Sequence, residues 1–137
     1  MNEITKLTER IASRRPIVED DPDAFEDCGA FGLLRGVRDR ALMLDFRLKN
    51  GNREALPYSL LERVSCDPSD GLRLRYLGVT VTLRGRNLIK PATAGVVLFD
   101  AILRHRVPWI AEVEEVRSEL LPSDAVQVTH IEIRDGK

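Results

Sequence analysis

Covalent catalysis needs a nucleophile with a base beside it, and the 137-residue chain has two histidines, His105 and His130. His105 stands between Arg104 and Arg106 at the end of an expected helix, where cations complement the helix dipole. His130 falls inside an expected strand, between Thr129 and Ile131. Neither position supplies a general base. Asp45 and Glu62 are dispersed carboxylates that would have to meet in a cleft to do acid–base work, so a small enzyme stands as the second alternative reading. Metal chemistry finds no support: HxxH, HExxH, CxxC and Ca²⁺-loop spacings do not occur. The run Asp20, Asp21, Asp23, Glu26, Asp27 lacks the glycine of a Ca²⁺ loop and reads as a solvated linker. With no GxGxxG and no GxxxxGK[ST], no phosphate cradle is assigned. The sequence therefore predicts no catalytic residue, no cofactor and no metal.

The residues with the clearest chemistry are basic. Arg47, Lys49, Arg73, Arg75, Arg84 and Arg86 come from adjacent expected strands, and period-two geometry sends several of them to the face opposite the aliphatics. Clustered guanidiniums hold phosphate through paired, charge-assisted hydrogen bonds, so these six form a candidate anion or nucleic-acid face. Asp45, Glu54 and Glu62 interleave with them, and Tyr58 and Tyr76 are the nearby aromatics available to stack on bases. Charge is uneven: residues 35 to 106 hold 14 basic and 7 acidic groups, while both ends are acidic and the net charge is -1. That asymmetry fits either an anionic partner for the middle or acidic ends that neutralise it within the molecule. A second candidate surface is Trp109 with Ile110, an apolar pair able to anchor a protein partner or to enter the core.

These side chains need elements to position them. Ile4, Leu7 and Ile11 recur at helical spacing and predict an N-terminal helix within residues 1–15, followed by an acidic linker over 16–28. A short strand is expected around Phe31 to Val37. Leu42, Leu44, Phe46 and Leu48 alternate with Met43, Asp45, Arg47 and Lys49, and Asn50-Gly51 then signals a two-residue type I′ hairpin. The returning strand meets Pro57, which must interrupt it or put it at an edge. Leu72, Leu74 and Tyr76, then Val79, Val81 and Leu83, alternate with polar residues on either side of Gly78 and predict a strand pair. The short connections argue against parallel pairing. Pro91 and the stripe Val96, Phe99, Ile102, Leu103 predict a helix over about 92–104. Trp109, Val113, Val116 and Leu120 predict a second, making a helical hairpin, and Val126 to Ile133 a last strand that closes a sheet edge or meets a partner.

The segment from Tyr76 to Leu88 ends in Leu83-Arg84-Gly85-Arg86-Asn87-Leu88. It resembles the second signature of Sm-like proteins, a strand running into an Ile/Leu-Arg-Gly-x-x-Ile/Val step. The resemblance implies a ring-forming small barrel in which Arg84 helps to hold an RNA base. It covers thirteen residues and rests on Leu83, Arg84, Gly85 and Leu88. The family's first signature is not recognisable around residues 37–51.

Together these readings predict an α+β fold: an antiparallel curved sheet or small β-barrel of four to five strands, with an N-terminal helix and a C-terminal helical hairpin, residues 29–137 forming one domain. The expected function is a non-enzymatic binding or assembly module for a protein partner or a second copy, with RNA or DNA binding as the alternative. Cys28 and Cys66 are too few for a disulfide scaffold, and no apolar run is long enough to cross a bilayer, so the expectation is a cytoplasmic protein without a membrane partner.

Overall fold

The computed structural model describes residues 25–36, 39–92 and 95–136. It is mostly β, with 47% of residues in strands and 12% in helix, and its strands form three sheets without closing a barrel. In chain order the elements are β1 (Phe25–Asp27), β2 (Gly32–Leu34), β3 (Met43–Arg47), β4 (Arg53–Pro57), β5 (Leu61–Asp67), β6 (Gly71–Tyr76), β7 (Val79–Arg86), α1 (Leu98–Leu103), β8 (Trp109–Ala111), α2 (Glu115–Ser118) and β9 (Gln127–Asp135). β1 pairs with β2; β4, β3 and β8 make the second sheet; β5, β6, β7 and β9 make the third. Two isolated bridges, Phe31 with Ile110 and Glu112 with Val128, tie β8 to the chain before β2 and to β9.

Alternation places most of the core where the residue pattern expects it, except that Leu42 precedes β3 and is 87% exposed. Leu44 and Phe46 from β3, Leu72, Leu74 and Tyr76 from β6, and Val81 and Leu83 from β7 are all buried, and they share one cluster with Leu98, Ala101 and Ile102 of α1. Each branched or aromatic side chain removed from water contributes roughly 1.5–3 kcal/mol, so this shared cluster holds the sheets together. The expected strand pair is present as the β6–β7 hairpin, with Leu74 opposite Val81. β9 closes the edge of that sheet along β7, as the expected last strand allowed.

The α+β expectation is overturned at its C-terminal end. No helix covers 92–104: Gly95 has φ +77° and donates its N–H to the Ala92 carbonyl, and a left-handed residue cannot sit inside a right-handed helix. α1 starts six residues later than expected and ends in a paired 6→1 and 5→2 cap, Arg106 N–H to Ala101 O and His105 N–H to Ile102 O, with His105 itself at φ +57°. Its ring stacks on Tyr58, with centroids 4.5 Å apart. The second helix is largely a strand: Trp109–Ala111 pairs parallel to β3, with Phe46 opposite Ile110. The helical stripe fails because Trp109 is buried while Val116 and Leu120 remain 72% and 82% exposed. An isolated helix that buries no face is marginal, so the β-favouring Trp109 and Ile110 go to the sheet and α2 keeps four residues.

Other expectations need correction. The β3–β8 pair is parallel despite the short connections elsewhere, because β8 arrives by a long crossover through the whole third sheet. The turn after β3 is not a two-residue type I′ turn: Gly51 N–H bonds Leu48 O, Leu48 N–H bonds Asn52 O, and Gly51 alone is left-handed at φ +95°. That is a three-residue loop, with Asn50 Oδ1 accepting from Asn52 N–H. Pro57 does end β4, an edge strand, and a 3₁₀ turn at Tyr58–Leu60 leads into β5. The N-terminal helix and most of the acidic linker lie outside the described residues, but the linker's last part is strand β1, held by Phe25 packing edge-on against Trp109 at 5.8 Å.

Candidate anion-binding face

The outer side of the β5–β6–β7–β9 sheet is built from the residues that alternate with its core. Register sets them out in rows across the four strands. Arg63, Arg75, Thr80 and Arg134 form one row, and Ser65, Arg73, Thr82 and Glu132 the next. Arg84, opposite His130, begins a third beside Asp67 and Gly71. The two complete rows and Arg84 line one cleft of about 460 Å³. Five guanidiniums and three hydroxyls therefore face the same space, with Glu132 as the carboxylate inside it.

The acids at this face hold Arg73 and Arg84 loosely and Arg134 closely, at 2.5 Å from Glu132. Asp70 lies 3.6 Å from Arg73 and 3.7 Å from Arg84, and Glu132 lies 4.0 Å from Arg84 while also pairing with Arg134. All these side chains are about half exposed or more, where an ion pair contributes at most about 1 kcal/mol and exchanges easily for another anion. Arg63 and Arg75 make no ion pair among the described residues, although register sets them directly opposite one another. Asp67 is engaged elsewhere, accepting the N–H and hydroxyl of Ser69, and these bonds hold its carboxyl below the ordinary range.

Two glycines flank Arg84 outside the cleft, in the neighbouring pocket that Arg84 also lines. Gly71, at φ +101°, approaches the Leu83 carbonyl so closely that a Cβ would overlap it. Gly85 sits at the bulge where β7 crosses β9, and a Cβ there would fall on the Gln127 carbonyl oxygen. This Gly85 belongs to the Leu83-Arg84-Gly85 step of the Sm-like resemblance, and its role here is the close approach of two paired strands at a bulge in an open sheet. The closed barrel that the resemblance implied is absent, and Arg84 points to the outer face between Asp70 and Glu132.

The six basic residues singled out by sequence divide. Arg73, Arg75 and Arg84 come together in the cleft. Arg47 lies on the other sheet, paired with Asp45 at 3.1 Å and stacked over Trp109 at 4.7 Å. Lys49 acts as a strut: its ammonium donates to the Thr129 carbonyl, and its backbone N–H to the Glu112 carboxylate. Arg86 lies beyond the bulge, outside the cleft lining. Arg63 and Arg134 join the cleft without having been singled out. The signal for Arg134 is its strict alternation with Ile131 and Ile133, once β9 is known to pair with β7; Arg63 is hidden by the register shift between Leu61 and Arg63.

The remaining candidates find structural employment. Trp109 is 7% exposed and Ile110 fully buried, so neither projects as a partner anchor. Tyr58 and Tyr76 are buried away from the arginines, and burial pushes both phenols up. Tyr58 donates to the Val107 carbonyl at 2.8 Å. No aromatic ring lines the basic cleft, so it has no base-stacking platform. Asp45 is bound by Arg53 at 2.6 Å and by Arg47, while Glu62 is exposed at the register shift of β5 in another sheet. Burial works to raise the Asp45 carboxyl, but hydrogen bonds from Arg53 and Arg47 outweigh it and keep it below the ordinary range. His130 lies 3.6 Å from Glu115 and 3.1 Å from the Thr129 hydroxyl, and that hydroxyl is turned to the Arg84 carbonyl, to which it donates. Among those residues no cluster of three or more His, Cys, Asp or Glu is placed to hold a metal, and no helix is long and apolar enough to cross a membrane.

Comparison with known proteins finds no match for the chain among family models, curated proteins or solved structures.

Proposed function

We propose that this chain is a non-enzymatic binding module whose β5–β6–β7–β9 face grips the phosphate backbone of a nucleic acid. The observation that carries the reading is the direct opposition of Arg63 and Arg75, two guanidiniums without an ion pair among the described residues, in a cleft that also holds Arg73, Arg84 and Arg134. Like charges opposite one another in a sheet destabilise it, and a bound polyanion reverses the sign of that interaction. Ser65, Thr80 and Thr82 add neutral donors for phosphate oxygens. With no ring in the cleft to stack on bases, recognition is of backbone charge and spacing, largely independent of sequence.

The test is fluorescence anisotropy with labelled single-stranded and duplex oligonucleotides over a range of salt concentrations. Binding should weaken linearly in log–log form, and Arg63→Ala with Arg75→Ala should lower the slope by about one for each phosphate that is no longer neutralised. Arg104→Ala, at the exposed end of α1, serves as the control and should change little. Absence of binding at low salt, or binding indifferent to both substitutions, would overturn the reading.

A further inference from the structure

β5 ends the third sheet, and its outer edge has no hydrogen-bonding neighbour among the described residues. Open edges are usually guarded by proline, by a bulge or by a charge turned toward the core side, and on β5 the register shift lies at Leu61–Arg63 and leaves Arg63–Asp67 regular. β4 carries both guards: Glu54 opposes the core residue Phe46, and Pro57 ends the strand. β5 carries neither within Arg63–Asp67, where its core-side positions are Val64 and Cys66 and its charges lie on the outer face. Cys66 is exposed although its cross-strand partner Leu72 is buried, so the edge leaves apolar surface uncovered.

We propose that two copies of this chain join edge to edge through β5, antiparallel about a two-fold axis at Ser65, an inference that rests on the phosphate-binding reading of the face. A two-fold normal to the sheet keeps both outer faces on one side, so outward residues must oppose outward residues. Centring on Ser65 sets Arg63 opposite the partner's Asp67, whose Oδ1 takes both Ser69 bonds and leaves Oδ2 for the guanidinium, and Val64 opposite the partner's Cys66. Centring on Val64 or Cys66 sets Arg63 opposite a serine and forms no charge pair. Cross-strand charge complementarity therefore selects Ser65. The product is one face eight strands wide; at about 4.8 Å per strand it spans about 34 Å, close to one turn of duplex.

Light scattering coupled to gel filtration, in reducing buffer over a wide concentration range, should give twice the 15.5 kDa chain mass. Cys66→Lys places a charge at the core side of β5, as Glu54 does on β4, and should return the mass to that of one chain that still melts cooperatively, with a Tm that no longer depends on concentration. Ser65→Cys in a Cys66→Ser background should oxidise to a covalent dimer, a result that does not depend on the lysine variant folding. A wild-type monomer at every concentration, or a dimer that Cys66→Lys leaves intact, would overturn the pairing. A monomer that still binds labelled oligonucleotide overturns the pairing alone, whereas a dimer that binds none overturns the phosphate reading.

Discussion

Arg63 stands directly opposite Arg75 across the β5–β6 ladder, and neither guanidinium has an ion pair among the described residues. A cross-strand pair of like charges costs a few tenths to about 1 kcal/mol, an arrangement that folding alone does not favour. Arg75→Thr should therefore raise stability by about 0.5 kcal/mol in urea denaturation while weakening oligonucleotide binding. A loss of both stability and binding would show that Arg75 is structural.

Gly85 should tolerate no side chain. Its Cβ would overlap the Gln127 carbonyl and crowd Val128, so Gly85→Ala must separate β7 from β9 at the bulge. The expected cost is about 2–4 kcal/mol in chemical denaturation, in the range of overpacking and broken backbone pairing.

Glu112 is a nearly buried carboxylate that joins three parts of the chain. Oε1 accepts the Lys49 N–H, Oε2 accepts the Ile131 N–H, and the Lys49 ammonium lies 4.0 Å away. Glu112→Ala leaves two backbone donors and should cost about 2–4 kcal/mol, while Glu112→Gln, which keeps a carbonyl acceptor, should cost roughly half as much. Equal losses in thermal or urea unfolding would mean that the charge, and not the acceptor geometry, matters.

Asp45 gives the fold an acid limit. Its carboxyl is held below the ordinary range in the folded chain, so the unfolded chain binds a proton first as pH falls. The stabilisation is present above the unfolded carboxyl value of about 3.9 and fades as pH drops through the lower folded value. Asp45→Asn should be less stable than wild type at neutral pH, with the gap narrowing below about pH 4 in denaturation measured across pH.

The sequence was most legible where one physical rule acted alone. Strict alternation placed Leu72, Leu74, Tyr76, Val81 and Leu83 in the core and thereby put Arg73, Arg75 and Arg84 on the other face. It misled where two periods compete in a short apolar run. Trp109, Ile110 and Val113 fit a helix as well as a strand, and the choice was made by a ladder with β3, more than sixty residues earlier, which local spacing cannot reveal. The same limit hid the full face: Arg63 follows a register shift and Arg134 enters through the β7–β9 pairing, so both arginines depend on pairings that local spacing does not report. His105 shows the converse, since a left-handed non-glycine cap stacked on Tyr58 leaves no mark in composition.

The parallel seam between β3 and β8 also fixes an order of assembly. The β3–β4 hairpin and the β5–β6–β7 meander close short loops and need little of the chain to begin. β8 reaches β3 across more than sixty residues, slotting in parallel with Ile110 bridging to Phe31, and is expected to close after the local hairpins. Loop-closure entropy makes this the slow step. Until it is complete the flank of β3 that β8 will cover stays open, so the folding chain carries an exposure to aggregation at Asp45–Arg47, around Phe46, far from the arginine face.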